Sequence, residues 1–563
     1  LNLLRSRLQD AHRGVVIYAI NKLEALDGQA IISELPGLIR HPAPEVRREA
    51  FNRIESLKLK AMMNEVQNQF LAETDPAVKE SALRALGAIT INNQHLILAL
   101  NETDTHILRG ALIGLLKNGN ETLASEKLAG LLASPSSADR NLALEVFGQI
   151  RRGDMLPQLI SACDSPATSR AAGLALVSIG VEGLPEIETA FSQPDMPRQR
   201  LLTLAKTLGR IGGTHSQTIL LSRISATDSE VRSRILTAIS QNGYHTKGLP
   251  LIQGAVKAEM QQAAWISAAQ VDLGESAETA LLAAALQSFL VQTRSRVLLL
   301  LSFAFDAGSI RRVREALLDG SPTQVSYALE IMDVQLPADW KPWVMPLLED
   351  LPPLARSQRF AAFFPIMESP AERLHALFEN ETLPFWVRAC ALQYFARINP
   401  GAIRGENAML STVEKVLILK TVSMFSKTPD NILADVGDLL EELDVAEDET
   451  IFKKGDTGDS LYIILDGKVR VHDGERLLNF LGEREVFGEM ALLDPEPRMA
   501  SVTAVEATRL FRLEQAPFYE LMVERPEVAT GIIRVLTGHL RNRVRDIAQL
   551  NARIKELEGG GQA

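Results

Sequence analysis

The chain has 563 residues and a formal net charge of −11, which argues against general nucleic-acid binding, and its length is too great for one core. Only 5% of its residues are aromatic, while 46% are hydrophobic and Leu and Ala are plentiful, as packed helices require. The two cysteines, Cys163 and Cys390, cannot build a disulfide framework or a cysteine-rich metal site, so a reducing, cytoplasmic setting is the simplest expectation.

From the N-terminus the chain repeats itself. His41-Pro42-Ala43-Pro44-Glu45-Val46-Arg47-Arg48-Glu49-Ala50 opens one unit and Thr74-Asp75-Pro76-Ala77-Val78-Lys79-Glu80-Ser81-Ala82-Leu83 the next. Similar starts recur at 105–112, 134–144, 165–174, 193–202 and 228–235, with weaker ones at 322–329 and 384–392. Each has a polar turn with Asp or Pro that ends one helix and starts another, then small and branched apolar residues on one helical face. Spacing of about thirty residues is that of a helical solenoid. The Asp75-Pro76-Ala77-Val78-Lys79 turn resembles that of HEAT repeats, and the resemblance implies an α-solenoid over residues 1–405 that engages a protein partner.

Further along, Leu208-Gly209-Arg210-Ile211-Gly212-Gly213 reads as a helix end rather than a phosphate loop. Trp265, Trp340, Trp343, Trp386, Phe360, Phe363 and Phe364 crowd the second half, where they are expected to fill gaps between irregular repeats. The apolar stretch 280–305 is interrupted by Arg294 and Arg296, leaving pieces too short to span a bilayer. No nucleophile–base signature, Walker-type loop or metal-ligand spacing is present, so neither catalysis nor a metal is expected.

Residues 413–425 and 430–443 read as helices, followed by short apolar or alternating runs at 461–465, 468–472, 502–504 and 508–513, with Gly455, Gly458, Gly467, Gly474 and Gly482 between them at hairpin spacing. Such a pattern indicates a small β-barrel or jelly roll. Residues 517–523 and a longer stretch from Pro526 return to helix. Within this region stands Phe487-Gly488-Glu489-Met490-Ala491-Leu492-Leu493-Asp494-Pro495-Glu496-Pro497-Arg498-Met499-Ala500. Gly488 permits close backbone approach and a one-turn segment after it can aim N–H groups at an anion. Arg498 offers a fixed-charge fork for phosphate, whereas Glu489 accepts hydrogen bonds from a sugar hydroxyl and repels phosphate. An acid and a base with separate targets imply a ligand carrying both groups.

This stretch and its flanks resemble the phosphate-binding cassette of the cyclic nucleotide-binding domain superfamily. The resemblance covers about 411–556 and implies a mainly α chain: a HEAT-like solenoid, then a β-barrel with flanking helices, then a flexible tail at 557–563. It implies that Phe487, Gly488, Glu489, Met490, Ala491, Arg498, Met499 and Ala500 bind a cyclic nucleotide. Glu489 would take the ribose 2′-hydroxyl and Arg498 the cyclic phosphate, with amides near Ala491 and Met499 completing the cradle. Met499 offers no hydroxyl to a guanine amino group, which favours cAMP over cGMP. Glu485 stands where a glycine or shorter acid is usual. By resemblance the purine is covered from the last helix, near Arg543 and Val544. The alternative is a domain with this fold and no ligand, in which Arg498 pairs with a neighbouring carboxylate.

Leu540, Val544, Ile547, Asn551 and Ile554 recur with coiled-coil spacing, which suggests either a homodimer through the C-terminal helix or packing of that helix against its own barrel. The chain begins at Leu1 rather than Met, which leaves open a transporter domain of the nucleotide-translocase type upstream. The expectation is a non-enzymatic regulatory protein, with a non-binding scaffold or the regulatory part of a membrane transporter as alternatives.

Overall fold

The structure is a computed structural model that describes residues 1–10, 12–90, 93–151, 153–398, 407–456, 458–493, 497–525 and 528–537. It divides into two compact units, one of Leu1–Ala226 with Glu230–His245, the other of Thr227–Ser229 with Thr246 onwards. The division falls inside the helical region expected over 1–405.

In the first unit the repeat starts all open helices: Pro44–Leu57, Pro76–Ile89, Thr105–Lys117, Ser137–Ile150, Pro166–Ile179, Arg198–Ile211 and Ser229–Gln241. The local cause is capping. The Asp75 carboxylate accepts from the Val78 amide at 3.0 Å, that of Asp104 from His106 and Ile107, and the Ser136 hydroxyl from Asp139. Proline begins three of these helices, where its missing N–H costs nothing. Gly212 and Gly213, with φ of 74° and 84°, terminate Arg198–Ile211 as expected.

Helix Pro76–Ile89 packs between Pro44–Leu57 and Thr105–Lys117. Small residues set the approach. A Cβ on Gly87 would collide with the Gly114 backbone, one on Gly110 would lie 2.7 Å from the Glu80 carbonyl, and one on Gly148 would lie 2.7 Å from the Ala175 Cα. Beside this seam runs a ladder of ion pairs in which each arginine reaches back 29 residues: Arg53 to Glu24, Arg84 to Glu55 and Arg109 to Glu80. Each pair ties a helix to a neighbour on which it packs.

The second unit starts with longer helices, Leu249–Leu273 and Ala280–Ser302, and continues through Ala307–Asp319, Pro322–Gln335, Lys341–Leu348, Pro353–Ala361, Pro370–Glu379 and Phe385–Ile398. Ala280–Ser302 buries Arg296, whose guanidinium reaches Glu259 on Leu249–Leu273 at 2.9 Å. Among the described residues no helix is long and apolar enough to cross a membrane. Trp340, Trp343, Phe360 and Trp386 are buried, so most of the aromatic cluster fills the interior; Phe363 is exposed.

Helix Phe385–Ile398 packs on both Ala280–Ser302 and the next helix, Asn407–Thr421. Helix Asp430–Gly437 also meets Ala280–Ser302, with Ser288 Oγ 3.5 Å from Asn431 Oδ1. The helix expected to reach residue 443 stops at Gly437. Glu441–Val445 is a strand instead, because pairing Leu443 with Leu510 decides its backbone over local helical preference.

Among the described residues eight strands follow: β1 Glu441–Val445, β2 Thr450–Phe452, β3 Ser460–Asp466, β4 Val469–Asp473, β5 Arg476–Leu481, β6 Val486–Phe487, β7 Ser501–Ala504 and β8 Thr508–Glu514. They form two antiparallel four-stranded sheets, ordered β1-β8-β3-β6 and β2-β7-β4-β5. Tyr462, Ile464, Val469, Phe487, Val502 and Leu510 fill the space between them. Helix Gln515–Glu524 leaves β8, and residues 528–537 are helical.

Candidate functional site

The site is built where β6 ends against β3, with Phe487 opposite Tyr462. These rings stack at 5.2 Å and 11°, and Phe452 of β2 stands 5.9 Å from each. The chain then turns through Gly488 into the short helix Glu489–Leu493. Gly488 has a φ of 75°, and a Cβ there would meet Arg498 Nη1 at 2.6 Å and the Ser460 carbonyl at 3.0 Å. Glycine is needed twice over, for conformation and for space.

Arg498 is the centre of the arrangement. It is 8% exposed, with Nη2 donating to the Ser460 carbonyl at 2.9 Å and Nη1 near the Gly488 carbonyl at 3.4 Å. Its Cζ lies 4.1 Å from the centroid of Phe452. The backbone around it is clamped, since the Arg498 amide donates to the Asp456 carbonyl and the Gly455 amide to the Arg498 carbonyl, both at 2.8 Å. Burial pushes the guanidinium pKa down, against the opposing influence of Tyr462, Asp459 and Asp456. Among the described residues no carboxylate stands within ion-pair distance of it. The arrangement in which Arg498 is neutralised by a neighbouring acid is not found there. A buried cation held by carbonyls and an aromatic face has the chemistry to receive an anion.

The other expected residues are placed around it. Phe487 and Ala491 are buried, Ala500 is half-buried, and Glu489 is exposed with no side-chain partner among the described residues. Met490 and Met499 are largely exposed. The Ala491 amide, expected in the phosphate cradle, here donates to the Gly488 carbonyl at 3.2 Å. The unusual turn before β6 takes its strain at Arg484, one residue before Glu485, with a φ of 65°. The Glu485 carboxylate closes that turn by accepting from the Gly482 amide at 2.7 Å. Arg543 and Val544, like the coiled-coil positions Leu540, Ile547, Asn551 and Ile554, lie outside the described residues.

Three contributors escaped the sequence reading. Gly458 was visible only as a hairpin glycine, yet a Cβ there would lie 2.6 Å from Arg498 Nε. Phe452 carried no signal beyond its strand, and the Ser460 carbonyl carried none, because a backbone acceptor has no residue signature. Opposite the carbonyl end of Glu489–Leu493, Gln515 and Tyr519 reach back from the next helix.

Residues 442–525 match the family model described as "Cyclic nucleotide-binding domain". A CRP-like cAMP-activated global transcriptional regulator of Mycobacterium tuberculosis is 32% identical over 138 residues, 24% of this chain and 62% of that one. A cAMP-dependent protein kinase regulatory subunit of Dictyostelium discoideum is 32% identical over 117 residues, 19% of this chain and 34% of that one. Among solved structures, the catabolite activator protein of Thermus thermophilus shares 30% identity over 23% of this chain and 63% of its own, with a TM-score of 0.20. The chain thus spans less than two thirds of the length of these relatives. Its C-terminal segment, residues 442–525, is a cyclic nucleotide-binding domain homologous to those of CRP-like regulators and protein kinase A regulatory subunits.

Proposed function

We propose that this chain is a non-enzymatic regulatory protein that binds cAMP, in preference to cGMP, and transmits occupancy to an N-terminal solenoid of HEAT-like repeats that engages a protein partner in the cytoplasm. The observation that carries the reading is the buried Arg498 guanidinium, held by the Ser460 carbonyl and the face of Phe452 with no acid partner among the described residues. A cyclic phosphate supplies the missing negative charge in bidentate form. Exposed Glu489, facing no competing cation among the described residues, is left to accept the ribose 2′-hydroxyl. Met499 brings a thioether rather than a hydroxyl to the base side, which supports adenine over guanine.

Packing within the second unit supports the transmission part of the reading. Helix Asp430–Gly437 meets Ala280–Ser302, while its Asp435 pairs with Arg525 at 2.9 Å, at the end of the helix that follows β8. A ligand that shifts this helix acts on both contacts, by no more than its differential affinity for the two arrangements. Calorimetric titration of the chain with cAMP and with cGMP tests the reading. Micromolar or tighter binding of cAMP, weaker for cGMP and lost in Arg498→Gln, is the expected result. No heat and no thermal shift with either nucleotide would overturn it.

A further inference from the structure

The last carbonyls of the short helix Glu489–Leu493 have no amide partner within the helix itself. All three of its last carbonyls are instead taken by side chains of the helix after β8. Gln515 Nε2 donates to Ala491 O at 2.9 Å and to Leu492 O at 3.2 Å, and the Tyr519 hydroxyl donates to Leu493 O at 2.6 Å. The orientation of the Gln515 amide is dictated by chemistry, since only its nitrogen can donate to a carbonyl.

Gln515 also grips the other half of the site. Its backbone amide donates to the Asp459 carbonyl at 2.7 Å, one residue before the Ser460 carbonyl that holds Arg498. Behind it, fully buried Phe518 meets Phe425 edge-on at 5.9 Å, which anchors the helix to the segment preceding the sheets. Gln515 therefore joins the helix that carries Glu489 to the residue preceding the strand whose Ser460 carbonyl holds Arg498.

We propose that Gln515 and Tyr519 are positioning residues for the nucleotide: they latch the cassette helix to Gln515–Glu524, pre-organising the site and coupling its movement to that helix. The latch rests on the binding reading above. If the cassette shifts on binding, either Gln515–Glu524 moves with it or three carbonyls lose their partners.

The test uses the full chain with Gln515→Met, which keeps the length but not the donor, and Tyr519→Phe, which removes only the hydroxyl. Cyclic AMP affinity is measured by calorimetry, and amide exchange of 515–524 is followed with and without cAMP. The expected result is affinity weakened about tenfold in Gln515→Met and several-fold in Tyr519→Phe, as loss of hydrogen bonds of this kind gives. The ligand-free unfolding midpoints stay close to wild type, and in the double variant cAMP still protects 488–493 but no longer alters exchange at 515–524. A purely structural role would move the midpoints and leave the exchange response intact. Wild-type affinity or an intact exchange response in the double variant overturns the latch and leaves the binding reading standing. Failure of the wild-type chain to bind cAMP overturns both.

Discussion

The guanidinium of Arg498 stands over the ring of Phe452, its Cζ 4.1 Å from the centroid. The ring holds the charge without neutralising it, which a carboxylate would do. Replacing Phe452 by Leu is expected to weaken cAMP binding several-fold, in line with a cation–π contribution of about 1–2 kcal/mol in a desolvated setting. Arg498→Lys keeps the charge but loses the planar fork, and a loss of at least about tenfold is expected. Parallel titrations of the two variants check the order, and equal affinities to wild type would contradict it.

Gly458 offers a sharper perturbation. A Cβ at that position would stand 2.6 Å from Arg498 Nε and 2.9 Å from the Ala491 Cβ. Gly458→Ala should therefore displace the guanidinium and abolish measurable cAMP binding while the sheets remain folded. Circular dichroism of the variant beside its titration separates these effects.

The helical seam of the first unit predicts a contrast between two glycines. Gly87→Ala forces a methyl group against the Gly114 backbone, and destabilisation of about 1–3 kcal/mol or more is expected. Gly130, inside Glu121–Leu132, has open space around it, so Gly130→Ala should stabilise by about 0.4–1 kcal/mol. Denaturant unfolding of both variants measures the difference in sign.

Arg296 and Glu259 are 3% and 2% exposed and 2.9 Å apart. Removing one charge leaves the other buried, so Glu259→Leu alone should cost about 3–5 kcal/mol. The double change Glu259→Leu with Arg296→Met should recover most of that loss, because buried ion pairs contribute little net stability relative to apolar packing. Thermal unfolding of the single and double variants provides the check.

Acid should destabilise the first unit through Glu80. Burial alone would raise its pKa, but hydrogen bonds from Arg109 and His106 reverse this and hold it below the ordinary 4.5. A carboxylate with a depressed folded-state pKa contributes stability that is present above its unfolded value and lost as pH falls through the folded one. Unfolding midpoints should hold above about pH 4.5 and fall below it, with a shallower dependence on this group in Glu80→Gln.

Much of the helical region was legible because its determinants are local. An aspartate or serine before a proline or polar first turn starts a helix wherever it stands, and Asp75, Asp104 and Ser136 do so here. The 29-residue ion-pair ladder was not legible, since Arg84 and Glu55 become neighbours only when successive helices stack. Glu441–Val445 shows the opposite failure: its composition suits a helix, and its pairing with β8 makes it a strand.

At the candidate site the division follows the same line. By itself the sequence determined which candidate groups stand close together, because Gly488, Glu489 and Arg498 lie within one short segment. Only the tertiary structure decided how Arg498 is held, through the Ser460 carbonyl, the face of Phe452, the space left by Gly458 and the clamp of Gln515 behind the cassette helix. Those contacts join strands and a helix distant in the chain. A carbonyl, an aromatic face and an absent side chain acquire their roles only when folding brings them against the charge they serve.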